Sequence, residues 1–258
     1  VGLEKYKIKQ FDSLDLPASP RLPLDKSAKF LNKLGVRIFK TASADLIDYN
    51  LHNYLAKLKK PVIISTGMSS INDVKKTVQI YRKNKNFNIA LLHCVSNYPC
   101  SLKSINLNVL NSLKKFGFIV GYSDHSDDIL IPCLAVSAGS RIIEKHFTLK
   151  KNLKGPDHKA SFNARELKKM INQIRKTELV MGKKIKKIQP EELEMSKISK
   201  KSLYFNKNKK KGSKIKNTDL VSLRPGLGIN PFSINKLIGK KLKRDIKKNQ
   251  IAKFNLVF

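Results

Sequence analysis

The chain has 258 residues, 41% of them hydrophobic, and carries 53 Lys and Arg against 19 Asp and Glu for a net charge of +34. That length holds one large domain, or a medium domain with a small companion, and no apolar run approaches the roughly 20 residues of a membrane span. The cysteines Cys94, Cys100 and Cys133 include no C-x-x-C pair, so neither a disulfide framework nor a zinc site is indicated, and a cytoplasmic location is expected.

The chain opens on Val1 rather than Met, with no charged segment leading into an apolar one, so an N-terminally truncated protein without a signal peptide is expected. Residues 1–35 offer one strand candidate, Tyr6–Phe11, and then a Pro-rich stretch, Leu16–Pro20. From residue 36 to 147 a unit repeats: a short apolar run closed by a polar residue, then an amphipathic stretch. The runs are Val36–Phe39, Pro61–Ile64, Ile89–His93, Phe118–Tyr122 and Arg141–Phe147. They are apolar on successive residues, as fits parallel strands buried on both faces. Helices are predicted at about 46–59, 70–84, 104–116, 127–138 and 164–181.

Alternating strand and helix implies a parallel α/β fold. No G-x-G-x-x-G follows a strand, which counts against a dinucleotide-binding sheet. Polar residues instead recur at the strand ends: Lys40, Ser65, His93, His125 and His146. That pattern suits the mouth of a (β/α)8 TIM barrel. A complete barrel needs eight strands in about 250 residues, so residues 1–182 predict an incomplete one, short of about two to three strands.

Residues 183–200 are charged and read as a linker. Residues 201–258 alternate short strand candidates (Leu203–Phe205, Leu220–Leu223, Ile251–Val257) with turn signals such as Lys211-Gly212-Ser213 and Arg224-Pro225-Gly226. They predict a small β-rich domain. The positive charge admits two readings. One is a polyanion partner such as RNA. The other is compositional, because the basic residues are mostly Lys scattered along the chain rather than Arg clustered with aromatics. The second fits better, so no nucleic-acid or membrane partner is expected, and an RNA-binding protein stands as the rival function.

His125 and His146 close consecutive strands, which in a barrel puts both imidazoles on one rim. Two neutral imidazoles about one strand spacing, or 5 Å, apart can share a divalent metal; the competing reading is a pair of structural histidines. Asp124 and Glu144 flank them as possible supporting carboxylates. Lys40, Ser43, Ser65 and Ser123 lie at strand ends where an anion can bind, and Thr66–Ser70 leads into a helix as a phosphate loop or as an ordinary cap. In His93–Pro99 a strand runs into a polar loop whose Ser96, Asn97 and Tyr98 either touch ligand or form a plain turn. Asp157, in Gly155-Pro156-Asp157-His158, either takes a substrate hydroxyl or sits in a turn.

Six segments stand in one order and spacing: Phe39–Ser43, Ile64–Met68, Leu92–Pro99, Gly121–His125, Glu144–Thr148 and Gly155–His158. Together they resemble the sialic acid synthase family, which includes the N-acetylneuraminate, legionaminate and pseudaminate synthases. Leu223–Gly228 followed by Leu237–Lys240 resembles that family's C-terminal antifreeze-like domain. The resemblance implies a TIM barrel followed by a small β-clip domain, and a domain-swapped homodimer. It implies condensation of phosphoenolpyruvate with an N-acyl amino sugar, assisted by Mn2+ or Mg2+. Carried over by position, His125 and His146 are the metal ligands, and Lys40, Ser65 and Ser123 hold phosphoenolpyruvate. Tyr98, Asp45 and Asp157 sit on the sugar side or near the metal, and Arg224 reaches the N-acyl group across the dimer. The chain departs from the family at its start, where the strand carrying a Glu is absent and Lys7–Phe11 matches poorly. A truncated, inactive member of the family is therefore a second alternative.

Overall fold

The computed structural model describes residues 24–155, 157–159 and 161–258. The strand candidate Tyr6–Phe11 and the Pro-rich stretch lie outside the described residues. The chain divides into two compact units after Gly182.

The first unit opens with α1 (Leu24–Lys33) and continues through β1 (Phe39–Thr41), α2 (Tyr49–Lys57), β2 (Val62–Ser65), α3 (Ile71–Lys83) and β3 (Ile89–Cys94). Next come α4 (Leu102–Ile105), α5 (Val109–Lys114), β4 (Ile119–Asp124), α6 (Leu130–Ser137), β5 (Ile142–Lys145) and α7 (Ala164–Met181). All five strands are parallel and pair in chain order, β1-β2-β3-β4-β5. This is an α/β fold built on a five-stranded curled sheet, half a barrel.

Local signals set the helix starts. The Asp48 carboxylate accepts the Leu51 N–H at 3.0 Å and caps α2. Reciprocal capping boxes start α3 (Ser70 with Asp73) and α7 (Asn163 with Glu166). Several boundaries differ from the sequence expectations. Leu24–Lys33 is a helix that the Pro-rich flank concealed, although Ala28 and Leu31 are spaced for one buried face. β1 begins three residues later than expected, because Val36 is taken up in the exit from α1 through the left-handed Gly35. The helix expected at 104–116 is split by Asn106, whose φ of 44° is left-handed.

Strand register sorts the residues onto two faces. Phe39, Val62, Ile64, Ile89, Leu91, Val120 and Tyr122 face the helices and form the main core with Leu51, Leu55, Val74, Val78, Tyr81, Leu110 and Leu113. Lys40, Ile63, Ser65, Ala90, Leu92, Cys94, Gly121, Ser123 and Glu144 fall on the inner face. Gly121 has no room for a side chain there: an added Cβ would stand 2.4 Å from Leu92 Cδ2 and 2.6 Å from the Ile142 carbonyl oxygen.

The second unit holds α8 (Leu193–Ser199) and an antiparallel pair, β6 (Ser202–Phe205) with β7 (Leu220–Leu223). Leu203, Phe205, Ile215, Leu237, Leu242, Ile246 and Leu256 form its core. Residues 183–200 are not a bare linker, since they include α8, and the Lys197 carbonyl accepts the Gly226 N–H at 2.8 Å. Ile251–Val257 is not a strand either. It makes single bridges from Ile251 to Tyr204 and from Val257 to Leu242, around a 3-10 turn at Phe254–Leu256.

Candidate active site

His125 and His146 each follow the last residue of a strand, β4 and β5. Strand alternation turns both toward the inner face, beside Ser123 and Glu144. Their ring centroids stand 5.4 Å apart, edge to face. The Tyr98 ring packs against both, 4.1 Å from His125 and 5.2 Å from His146.

The tautomer of His125 follows from its partner. Nδ1 lies 2.6 Å from the Val95 carbonyl oxygen, which can only accept, so Nδ1 carries the proton. In the neutral ring Nε2 then presents a lone pair, with the Ser123 hydroxyl 3.5 Å away. Burial holds His125 below the ordinary histidine value; the Val95 hydrogen bond opposes this and neighbouring His146 reinforces it. The residue is 6% exposed, so the neutral form is favoured near pH 7.

A surface of Lys and Ser side chains lies alongside. Lys40 Nζ is 3.2 Å from Glu144 Oε1. The Ser43 hydroxyl oxygen accepts the Gly67 N–H at 3.0 Å and lies 3.1 Å from Cys94 Sγ. Among the described residues Ser65 Oγ is enclosed without a hydrogen-bond partner, an uncommon state for a buried hydroxyl. Gly67 is hemmed in: an added Cβ would meet Ser96 Oγ at 2.5 Å, Cys94 Sγ at 2.9 Å and Ser43 Oγ at 2.9 Å. Ser43, Ser96 and Cys94 thus crowd the Gly67 Cα, and Ser43 accepts its N–H.

The remaining candidates lie elsewhere. Asn97 is exposed in the loop between Ser96 and Tyr98. Asp45 sits on the 3-10 turn after β1; burial and Asp48 push its carboxyl up, and its carbonyl oxygen contacts His52 Nε2 at 3.1 Å. Asp157 is exposed, and its carbonyl accepts the Ser161 hydroxyl at 2.6 Å. Arg224 is exposed at the end of β7 in the second unit. Among the described residues no hydrogen bond or ion pair joins Asp45 or Asp157 to the histidine pair. Two strand-end residues face the other way. His93 turns to the helices, where Nε2 contacts the Ile105 carbonyl oxygen at 2.7 Å. Asp124, expected as a supporting carboxylate, pairs with Lys145 on the helix side at 2.8 Å.

The residues present fit a divalent cation. One imidazole has a defined free nitrogen, a second stands with its ring centre 5.4 Å away, and the Ser123 hydroxyl lies 3.5 Å from the first. Among the described residues no group of three or more His, Cys, Asp or Glu side chains gathers.

A model of the NeuB family matches residues 22–186. The chain belongs to the NeuB family. The N,N'-diacetyllegionaminic acid synthase of Campylobacter jejuni is 39% identical to this NeuB chain over 90% of its length, covering 70% of the relative. Among solved structures, the N-acetylneuraminic acid synthetase of Leptospira borgpetersenii, in complex with citrate, is 37% identical with a TM-score of 0.62, covering 66% of this chain and 60% of that one. A spore coat polysaccharide biosynthesis protein E of Chromobacterium violaceum shares the fold with a TM-score of 0.80 at 20% identity, covering 91% of this chain and 71% of that one. The NeuB chain therefore spans about two thirds of its relatives' length. Among its described residues no helix is long and apolar enough to cross a membrane.

Proposed function

We propose that this protein condenses phosphoenolpyruvate with an N-acylated amino sugar of the N-acetylmannosamine type, giving a nine-carbon sialic acid-like sugar and inorganic phosphate. The observation that carries the reading is the facing of His125 and His146 at 5.4 Å beside a Lys- and Ser-lined inner face. Relatives that are synthases of nine-carbon acidic sugars support it.

In this reading Lys40, Ser43, Ser65 and Ser123 hold the phosphate and carboxylate of phosphoenolpyruvate. A divalent cation, Mn2+ or Mg2+, held by His125 and His146 would supply Lewis-acid polarisation of the sugar aldehyde. Tyr98 packs against the two imidazoles and helps to fix their orientation. Carbon 3 of phosphoenolpyruvate bonds to the aldehyde carbon, whose oxygen takes a proton. Water adds at carbon 2, and the carbon–oxygen bond to phosphate breaks. Placing two substrates in line accounts for most of the acceleration. The second unit corresponds to the antifreeze-like domain, and in a domain-swapped homodimer its Arg224 would orient the N-acyl group.

The test is turnover by the 258-residue chain with phosphoenolpyruvate carrying 18O in its bridging oxygen, an N-acyl amino sugar and Mn2+. The proposal expects labelled phosphate and a nine-carbon keto acid. A folded chain that binds Mn2+ yet releases no phosphate would favour the truncated, inactive member of the family instead.

A further inference from the structure

The Asp124–Lys145 ion pair is the one most closed to solvent among the described residues, with side chains 0% and 2% exposed. It forms the last rung of the β4–β5 pairing, Asp124 opposite Lys145, and lies on the face away from the site. Lys145 Nζ is 2.8 Å from Asp124 Oδ2, also donates to the Ser126 carbonyl, and stands 4.2 Å from the centroid of the Phe162 ring. Asp124 Oδ1 accepts the Ser126 N–H at 3.0 Å. Phe162 in turn donates its backbone N–H to the His146 carbonyl at 2.9 Å. The network therefore holds the backbone on the far side of both His125 and His146.

Burying two charges is an expensive way to hold strands together. Apolar replacements of a buried ion pair are often neutral or stabilising, and the best-attested use of such a pair is to fix register. Register matters acutely here. A slip of one residue between β4 and β5 would carry every side chain to the opposite face, taking His146 from the site into the helix layer. We propose that the Asp124–Lys145 pair is a positioning device that locks the final rung, so that the next residue on each strand, His125 and His146, converges on one point. The inference rests on the reading of those histidines as metal ligands.

The test uses the full chain and Mn2+ alone, with affinity read from the electron paramagnetic resonance signal of free Mn2+ and folding read from thermal unfolding. The double variant Asp124→Leu/Lys145→Met replaces the pair by apolar groups. Lys145→Gln is the milder arm, keeping a hydrogen-bond donor near Asp124. We expect both to unfold cooperatively, with the double variant no less stable than the parent, and Mn2+ affinity to fall about 10- to 100-fold, the range for residues that support metal ligands from behind. Wild-type affinity in a folded double variant would overturn the proposal. Failure of both variants to fold would also overturn it, since the pair would then serve the fold and not the site. A parent chain that takes up no Mn2+, or whose uptake ignores His125→Ala, would sink the reading of the histidines and the proposal with it.

Discussion

Lys40 Nζ on β1 lies 3.2 Å from Glu144 Oε1 on β5, although these strands are the two edges of the sheet. In a flat sheet four spacings of about 4.8 Å would put those strands about 19 Å apart, out of reach of the two side chains. The ion pair therefore measures the curl, and it spans the inner face next to the histidines. Both side chains are nearly a third exposed, so Lys40→Met should cost about 1 kcal/mol or less of stability. The same change should raise the KM for phosphoenolpyruvate by about tenfold or more, the loss of one charge-assisted contact. Steady-state kinetics beside urea unfolding would check both halves.

Gly67→Ala tests the packing around Ser43, Cys94 and Ser96. The new methyl group would press on Ser43 Oγ, Cys94 Sγ and Ser96 Oγ, all within 2.9 Å of its position. Overpacking of this kind costs about 1–3 kcal/mol. Because it displaces Ser43, the variant should weaken phosphoenolpyruvate binding more than sugar binding. Equal changes in the two KM values would contradict this.

His52 predicts a pH dependence of stability. It is fully buried, contacts Tyr81 Oη at 2.9 Å and the Asp45 carbonyl oxygen at 3.1 Å, and burial lowers its pKa from 6.5 to about 4. The unfolded chain binds the extra proton between those two values, so stability is present above pH 6.5 and falls as pH drops toward 4. Between pH 7 and pH 5 this group should remove about 2 kcal/mol. Urea unfolding of His52→Gln at the two pH values should show a loss smaller by that amount; identical losses would refute it.

Asp219 predicts a weak point of the second unit. Its side chain is fully enclosed, takes Lys207 Nζ at 2.8 Å and the Lys216 N–H at 2.8 Å, and pairs also with Lys209. Its lysine and backbone partners outweigh burial and hold the carboxyl well below the usual range. Asp219→Asn would leave these lysines without their counter-charge and should cost about 3 kcal/mol. Thermal unfolding of the variant should show the loss; an unchanged midpoint would contradict it.

Much of this was legible in the residues. The alternation of apolar runs with amphipathic stretches is the sheet-and-helix order itself. Two polar residues that close consecutive runs, His125 and His146, reach one rim because parallel neighbours share a direction. The runs did not reveal which face a strand-end residue takes. His93 and His125 look alike in the sequence, yet His93 is the last residue but one of β3, one position out of phase with Cys94 and Ser123, and turns to the helices. The Asp124–Lys145 pair escaped for the same reason, because it depends on the register of two strands 21 residues apart. The C-terminal run failed as a strand because its partners are single bridges to Tyr204 and Leu242, which no local pattern announces.

The most direct test of the paired imidazoles is pulsed electron paramagnetic resonance on Mn2+ bound to the chain, counting the histidine nitrogens coupled to the metal. We expect one Mn2+ per chain coupled to two such nitrogens, with one coupling lost in His125→Ala and likewise in His146→Ala. Mn2+ that binds with no imidazole coupling, or with couplings unchanged in both variants, would contradict a shared cation between these residues.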